Sequence, residues 1–335
     1  MSTTDDSQVL SEGIDQFSSC RILVVGDVIM DEFLWGRVER ISPEAPVPVV
    51  EVEEESLVLG GAGNVVNNII SLGGQALLCG VIGNDAMGRE LIHILQKMNS
   101  PTYGLVIEDR RPTTIKTRVV AHSQQVVRVD REEREHVNEA SIESITHTVK
   151  EQLDSIDAIV VADYGKGVVT RSLMDGLRSL GQGGQTILAV DPTIRNVALY
   201  KDVTLITPNN YEAQQMAGIQ IEDDQSLRRA GAHLLEELGC QTVLITQGDK
   251  GMTLFEGNGE TTQIPTVARK VFDVSGAGDT VIATFTLALA AGLTPGQAAV
   301  LANLAAGIVV GEIGTATVAA SRLKEVLLSG RASRD

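Results

Sequence analysis

Aromatic residues are scarce, at 3% of 335 residues. A core for a chain of this length must then be built from Val, Ile, Leu and Ala, the composition of parallel strands buried on both faces. Cysteine is nearly absent as well: Cys20, Cys79 and Cys240 stand far apart. They show no metal-ligand spacing and cannot staple a small secreted scaffold, so they read as reduced thiols of a cytoplasmic protein. Positive charge is in deficit, with 27 Lys and Arg against 44 Asp and Glu and a net charge of −17. Nucleic acid, which needs a basic stripe, is excluded as a partner. A phosphorylated ligand would have to be met locally, by backbone amides, a few cations or a divalent metal.

Long apolar runs are missing too. The most apolar region, 280–311, is broken by Thr294-Pro295-Gly296-Gln297 into two segments, each short for a bilayer, which predicts two core helices and no membrane contact. No GxxxxGK[ST] occurs, and Val66 stands where the third glycine of a dinucleotide fingerprint belongs. The five histidines neither pair at a ligand spacing nor neighbour a nucleophile motif. Residues 1–19 are polar and acidic without a basic or apolar stretch, which predicts a disordered tail and not a signal peptide. The end, 329–335, is expected to fray.

What is present is alternation. Strand-like runs at 21–26, 76–82, 158–161, 186–190, 203–206 and 242–246 are separated by helical spacing at 61–72, 86–98, 139–153, 170–180 and 225–238. This predicts an α/β fold, a doubly wound sheet with helices on both faces. Two segments break the rhythm. Residues 34–54 hold Pro43, Pro46 and Pro48 among alternating apolar residues, and 102–131 carries two alternating runs around His122-Ser123-Gln124. Both predict a small inserted antiparallel β sheet, too small to stand alone.

Residues 273–279 read Asp-Val-Ser-Gly-Ala-Gly-Asp and lead straight into an apolar helix pattern. Glycines let the backbone close on an anion, and the amides of a helix start favour negative charge. Asp279 in that setting fits a base taking a proton from a hydroxyl while amides hold developing phosphate charge; it also fits an acidic first turn. Gly60-Gly61-Ala62-Gly63-Asn64 precedes another helix and reads as close packing or as a ligand loop. Asp27 and Asp31 follow the first strand, where ligands of open sheets bind, and read as sugar contacts or turn residues. Asp163-Tyr164-Gly165-Lys166-Gly167, Asp191-Pro192-Thr193 and Thr207-Pro208-Asn209-Asn210-Tyr211-Glu212 follow three further strands. Asn209 and Glu212 share a helix face and could hold a hydrated Mg²⁺ or simply cap the helix.

These motifs, in this order and over most of the chain, resemble the ribokinase-like (PfkB) carbohydrate kinases. Within that family Arg40-Ile41-Ser42-Pro43-Glu44-Ala45-Pro46, Lys116-Thr117-Arg118, Gln124-Gln125 with Arg128, and the Asp163–Gly167 run resemble the kinases of D-glycero-β-D-manno-heptose 7-phosphate. The resemblance implies a three-layer αβα kinase domain over 20–328, with the inserted sheet as a lid and a homodimer contact. It implies ATP and Mg²⁺ and leaves a monovalent cation open. Asp279 takes the place of the catalytic base, with Gly276, Ala277 and Gly278 as its anion hole. Asn209, Asn210, Tyr211, Glu212 and Asp273 fall on the nucleotide and metal segments, and Asp31, Gly61 and Asn64 on sugar-contacting positions. Arg118, Arg128 and Lys166 are the cations expected to hold the sugar's phosphate. No His-x-Gly-His of a nucleotidyltransferase occurs, so the expectation is a kinase standing alone or one half of a longer protein. Kinases of fructose, ribose or nucleosides, and a non-catalytic sensor on the same fold, remain open.

Overall fold

The computed structural model describes residues 3–122, 124–181, 186–268, 271, 273–312 and 314–329. The apolar strand runs assemble, as their composition requires, into a mostly parallel sheet covered on both faces. In chain order the elements that build it are β1 (Arg21–Gly26), β4 (Gln75–Gly83), β5 (Leu105–Glu108), β8 (Ala158–Ala162), β9 (Ile187–Asp191), β10 (Leu205–Ile206), β11 (Thr242–Thr246), β12 (Met252–Glu256) and β13 (Thr261–Ile264). Their spatial order is β13-β12-β11-β10-β9-β8-β1-β4-β5, antiparallel only at β11-β12-β13. Side chains alternate between two cores. Ile22 and Val24 point to a cluster that includes helices α2 (Ala62–Ser71), α3 (Ala86–Lys97), α8 (Ala277–Ala290) and α9 (Pro295–Val309). Leu23 and Val25 point to one with α4 (Glu139–Gln152), α5 (Arg171–Gly181), α6 (Asn210–Ala217) and α7 (Asp224–Leu238). The architecture is the three-layer αβα expected.

The apolar region at 280–311 is the pair α8 and α9. Thr294 caps α9 in a reciprocal box with Gln297, Pro295 sits at the first turn, and α8 is buried from Asp279 to Ala288. Among the described residues no helix is long and apolar enough to cross a membrane.

The second sheet corrects two expectations. Its strands are β2 (Val28–Ile41), β3 (Pro48–Gly61), β6 (Thr114–Ala121) and β7 (Gln124–Arg131), in the order β3-β2-β6-β7. β2 pairs antiparallel with β3 but parallel with β6, so the lid is mixed, not antiparallel. It reaches down to Val28 and Gly61, well outside 34–54, because β2 leaves directly from the end of β1. Conversely β5, inside 102–131, belongs to the main sheet.

Residues 3–19 are not the disordered tail that composition suggests. They form α1 (Thr3–Gln16) and a short turn of helix, and Leu10, Ile14 and Phe17 bury themselves in the core. Their i, i+4, i+7 spacing makes one apolar face. Asp15 pairs with Lys324 of α10 (Ala320–Ser329). That helix includes Ser329, and the rest of the expected frayed end lies outside the described residues. Replacing the fully buried Phe17 by Ala should cost about 3–5 kcal/mol, measured as a lower urea midpoint; an unchanged midpoint would show that α1 does not dock.

Candidate active site

Sheet topology places the site before any side chain is considered. The strand order reverses between β8 and β1, and open α/β sheets bind ligands outside the carboxyl ends of strands at such a point. The residues immediately after those two ends are tied together. The buried Asp27 carboxylate accepts backbone N–H bonds from Tyr164 (2.8 Å), Lys166 (2.9 Å) and Val168 (3.1 Å). Asp27 is therefore a clamp on the 163–168 loop and has no oxygen to spare for a sugar. Burial, and then the neighbouring Asp163, push its pKa up to about 6.

The clamped loop aims Tyr164 at the start of α8. Its hydroxyl donates to Oδ1 of Asp279, and Asn64 Nδ2 donates to Oδ2 at 2.6 Å. Asn64 in turn is braced by Asn68, whose own Oδ1 receives the Thr280 hydroxyl at 2.8 Å. The glycine loop at 60–64 and the Asp-x-x-Gly-Ala-Gly-Asp motif thus meet on one carboxylate. Gly276 is required there twice over. Its φ is +77°, and a Cβ would stand 2.7 Å from Asn64 Nδ2. At Gly61, φ is +55° and a Cβ would strike the Asp27 carbonyl, so its role is to let the roots of β2 and β3 touch.

The amides of α8 are less uniform than the motif suggests. Ala277 N–H is taken by the Val274 carbonyl at 3.2 Å. Those of Gly278 and Asp279 have no hydrogen-bond partner among the described residues, and nothing lies within 4 Å of a Cβ at Gly278. Two unpartnered donors at a positive helix end, with room beside Gly278, are the arrangement that accepts a phosphate. Asp273 accepts from Ser275 N at 2.9 Å and Gly314 N at 3.1 Å, so it shapes the loop.

The nucleotide segment folds as a cap. Asn209 and Glu212 form a reciprocal capping box at α6, with Glu212 Oε2 accepting from Asn209 N at 2.8 Å. Asn210 opens the helix, and the Tyr211 ring is 64% exposed. Asp191, at the end of β9, is the acid that sequence reading left without a role. Burial, and then the charges of Asp279 and Glu212, drive its pKa well above the carboxylate range. Burial likewise raises Glu212. Neither carboxylate has a cationic partner among the described residues. The pair could hold a divalent ion, and no group of three or more such ligands occurs there, so most of its shell would be water and phosphate oxygen. The signal for Asp191 was its place at a strand end, shared with Asp27 and Tyr164.

Each expected phosphate-holding cation is already matched. Arg118 Nη1 pairs with Asp31 Oδ1 at 2.6 Å and lies over the Phe33 ring at 5.3 Å. Lys166 pairs with Glu132 at 2.5 Å, and Arg128 makes a bidentate pair with Asp130 at 2.9 and 3.0 Å. Asp31 keeps Oδ2, which sits where a Cβ on Gly60 would fall within 2.6 Å. That oxygen accepts no hydrogen bond from any described residue.

Asp279 is enclosed, and burial first raises its pKa, to about 6, against the pull of the Tyr164 and Asn64 hydrogen bonds. A base works unprotonated, so turnover should rise through pH 6 and fall away below it. Tyr164 and Asn64 stabilise the charged form, so Tyr164→Phe and Asn64→Ala should each move that acid limb of kcat/KM to higher pH. A limb that stays in place in both variants would show that Asp279 is not the titrating base.

Comparison with known proteins bears on the family and the fold. The chain is 47% identical over 323 residues to "Bifunctional protein HldE" of Desulfatibacillum aliphaticivorans, covering 96% of this chain and 66% of that protein. It is 48% identical over 305 residues to the protein of the same name in Citrifermentans bemidjiense, covering 91% and 63%. The chain thus spans just under two thirds of the length of these relatives. In fold it resembles ribokinase of Arabidopsis thaliana complexed with ribose and ATP (TM-score 0.73, 18% identity, 92% of this chain and 98% of that one). It equally resembles phosphofructokinase-2 of Escherichia coli in complex with substrates and products (TM-score 0.76, 18% identity, 92% and 99%). Residues 20–322 match the pfkB family carbohydrate kinases, and the chain belongs to that family.

Proposed function

We propose that the chain transfers the γ-phosphoryl of ATP to O1 of D-glycero-β-D-manno-heptose 7-phosphate. The product would be the 1,7-bisphosphate, feeding ADP-heptose and lipopolysaccharide core synthesis. The observation that carries the reading is Asp279: a buried carboxylate fixed by Asn64 and Tyr164 beside the free amides of Gly278 and Asp279. The sugar hydroxyl gives its proton to Asp279 as its oxygen forms a bond to the γ-phosphorus and the bond to ADP breaks. The amides at the start of α8 hold the charge on the phosphoryl oxygens. Asp31 Oδ2, beside Gly60, accepts from the sugar, with Gly61 and Asn64 as further sugar-side residues, while Arg118, Arg128 and Lys166 frame its phosphate end.

The α6 segment Asn209, Asn210, Tyr211 and Glu212 is the nucleotide side, together with Asp273, which shapes the loop before α8. Glu212 and Asn209, with Asp191 added by its position, would hold Mg²⁺ largely through water, and the ion supplies neutralising charge to the phosphates. The choice of heptose rests on the likeness to the HldE proteins and on the Arg40–Pro46, Lys116–Arg118 and Asp163–Gly167 runs.

A second copy of the chain is the proposed partner of the lid. Register places Leu34, Val119 and Val127 in one row on the outer face, with Val129 beside them. Val127 and Val129 are 48% and 56% exposed, a patch that suits an isologous contact.

Asp279→Asn should lower kcat by about 10²–10⁴ with ATP affinity retained, assayed by ADP release and nucleotide titration. Near-full turnover would remove the base assignment. A sugar panel at fixed ATP should favour heptose 7-phosphate over fructose, ribose and nucleosides; preference for one of these would redirect the substrate. In sedimentation, a Val127→Glu, Val129→Glu double variant should run as a monomer where the parent chain runs as a dimer.

A further inference from the structure

The inner face of the lid carries more cation than carboxylate, and the surplus is one residue that no motif singled out as a ligand. Strand register sets Asp31, Lys116 and Asp130 in one row across β2, β6 and β7, and Phe33, Arg118 and Arg128 in the next. This face looks into the cleft. Asp31 and Phe33 are each 6% exposed, and both Asp31 and Lys116 act electrostatically on Asp279. Lys166 reaches the same region from the clamped loop and repels Lys116.

The pairing is one to one until Lys116. Arg118 is taken by Asp31, Arg128 by Asp130 and Lys166 by Glu132. Lys116 has no carboxylate within ion-pair distance and donates no hydrogen bond to any described residue, although it is half-buried. Such an ammonium gives up water without a partner in exchange, a cost that a bound anion would relieve. Burial, and then Lys166, loosen its hold on its proton. A phosphate dianion beside it would offset both influences by direct attraction. The three paired cations would first have to release a carboxylate each.

We infer that Lys116 is the residue that selects a sugar bearing a terminal phosphate, its ammonium donating directly to that group with Arg128 and Lys166 flanking. The inference rests on the sugar-kinase reading, with the sugar ring at Asp31. It differs from a role on the transferring phosphoryl, because a cation there would serve every acceptor alike. A charge-assisted contact of this kind is worth about 10–100-fold in affinity.

The test uses the whole chain, Lys116→Met and Lys116→Arg, with D-glycero-D-manno-heptose 7-phosphate and the unphosphorylated heptose as acceptors. Lys116→Met should raise KM for the phosphorylated sugar about 10–100-fold. It should leave KM for ATP and KM for the free heptose unchanged, any change in kcat from the lost charge near Asp279 being common to both acceptors, and Lys116→Arg should restore most of the loss in KM. Calorimetric titration of the sugar phosphate without ATP should show the same loss of affinity, and an unchanged melting temperature would confirm that the variant is folded. An equal rise in KM on both acceptors, or a parent chain that does not prefer the phosphorylated one, would overturn the inference. A parent chain that phosphorylates neither acceptor would instead overturn the heptose reading, and the Asp279→Asn assay on other sugars reads the kinase assignment separately.

Discussion

A carboxylate can stay ionised inside a protein only if donors replace the water it has lost. Asp279 has two, Asn64 and Tyr164, and much of the active edge is organised to deliver them. Asn64 comes from α2 and is braced by Asn68 and Thr280, so the two helices that begin at the glycine motifs are locked to each other. Tyr164 comes from the loop after β8, whose course is set by the three N–H bonds to Asp27 together with Gly165 N–H on Asp163 and the Lys166–Glu132 pair. The geometry around Asp279 therefore rests in part on a second buried carboxylate, one that does not touch Asp279 itself.

That arrangement explains the crowding of acid at a site meant for phosphate. Asp27, Asp163, Asp191 and Asp279 all carry pKa values raised by burial. Two of them are consumed by internal hydrogen bonds: Asp27 by the loop amides, and Asp163 by Gly165, Asn196 and Tyr200. The others face the cleft, where α8 amides and lid cations lie and where, on the proposed function, a divalent ion would add opposing charge. An acidic chain can thus bind polyanions, because the field that matters is set within a few ångströms.

What could be read in the sequence was local. Strand and helix alternation, the cap of α6 and the glycine motifs depend on neighbours a few residues apart, and the Asp279 position follows from them. What could not be read was pairing over distance. That Tyr164 reaches Asp279, that β6 runs parallel to β2, and that Arg118, Arg128 and Lys166 each have a carboxylate while Lys116 has none are facts of register between segments far apart in the chain. The helix α1 is a different case. Its apolar face was present at Leu10, Ile14 and Phe17, but the surrounding Ser, Asp and Glu outweighed it when the segment was judged by composition alone.

The lid's attachment has a mechanical meaning. β2 departs immediately after Asp27 and β3 returns to Ala62, whose N–H bonds the Asp27 carbonyl at 3.0 Å, while Asp27 N–H bonds Ala162 at 3.1 Å. Both β2 and β3 are therefore rooted on the residue that also clamps the Tyr164 loop. The β6 and β7 side is tied separately, by Thr113 to Asp85 before β6 and by Glu132 to Lys166 after β7. A displacement at the roots of β2 and β3 would therefore act on the same residue that holds the loop carrying Tyr164, so the second sheet and the phenol beside Asp279 share one point of support.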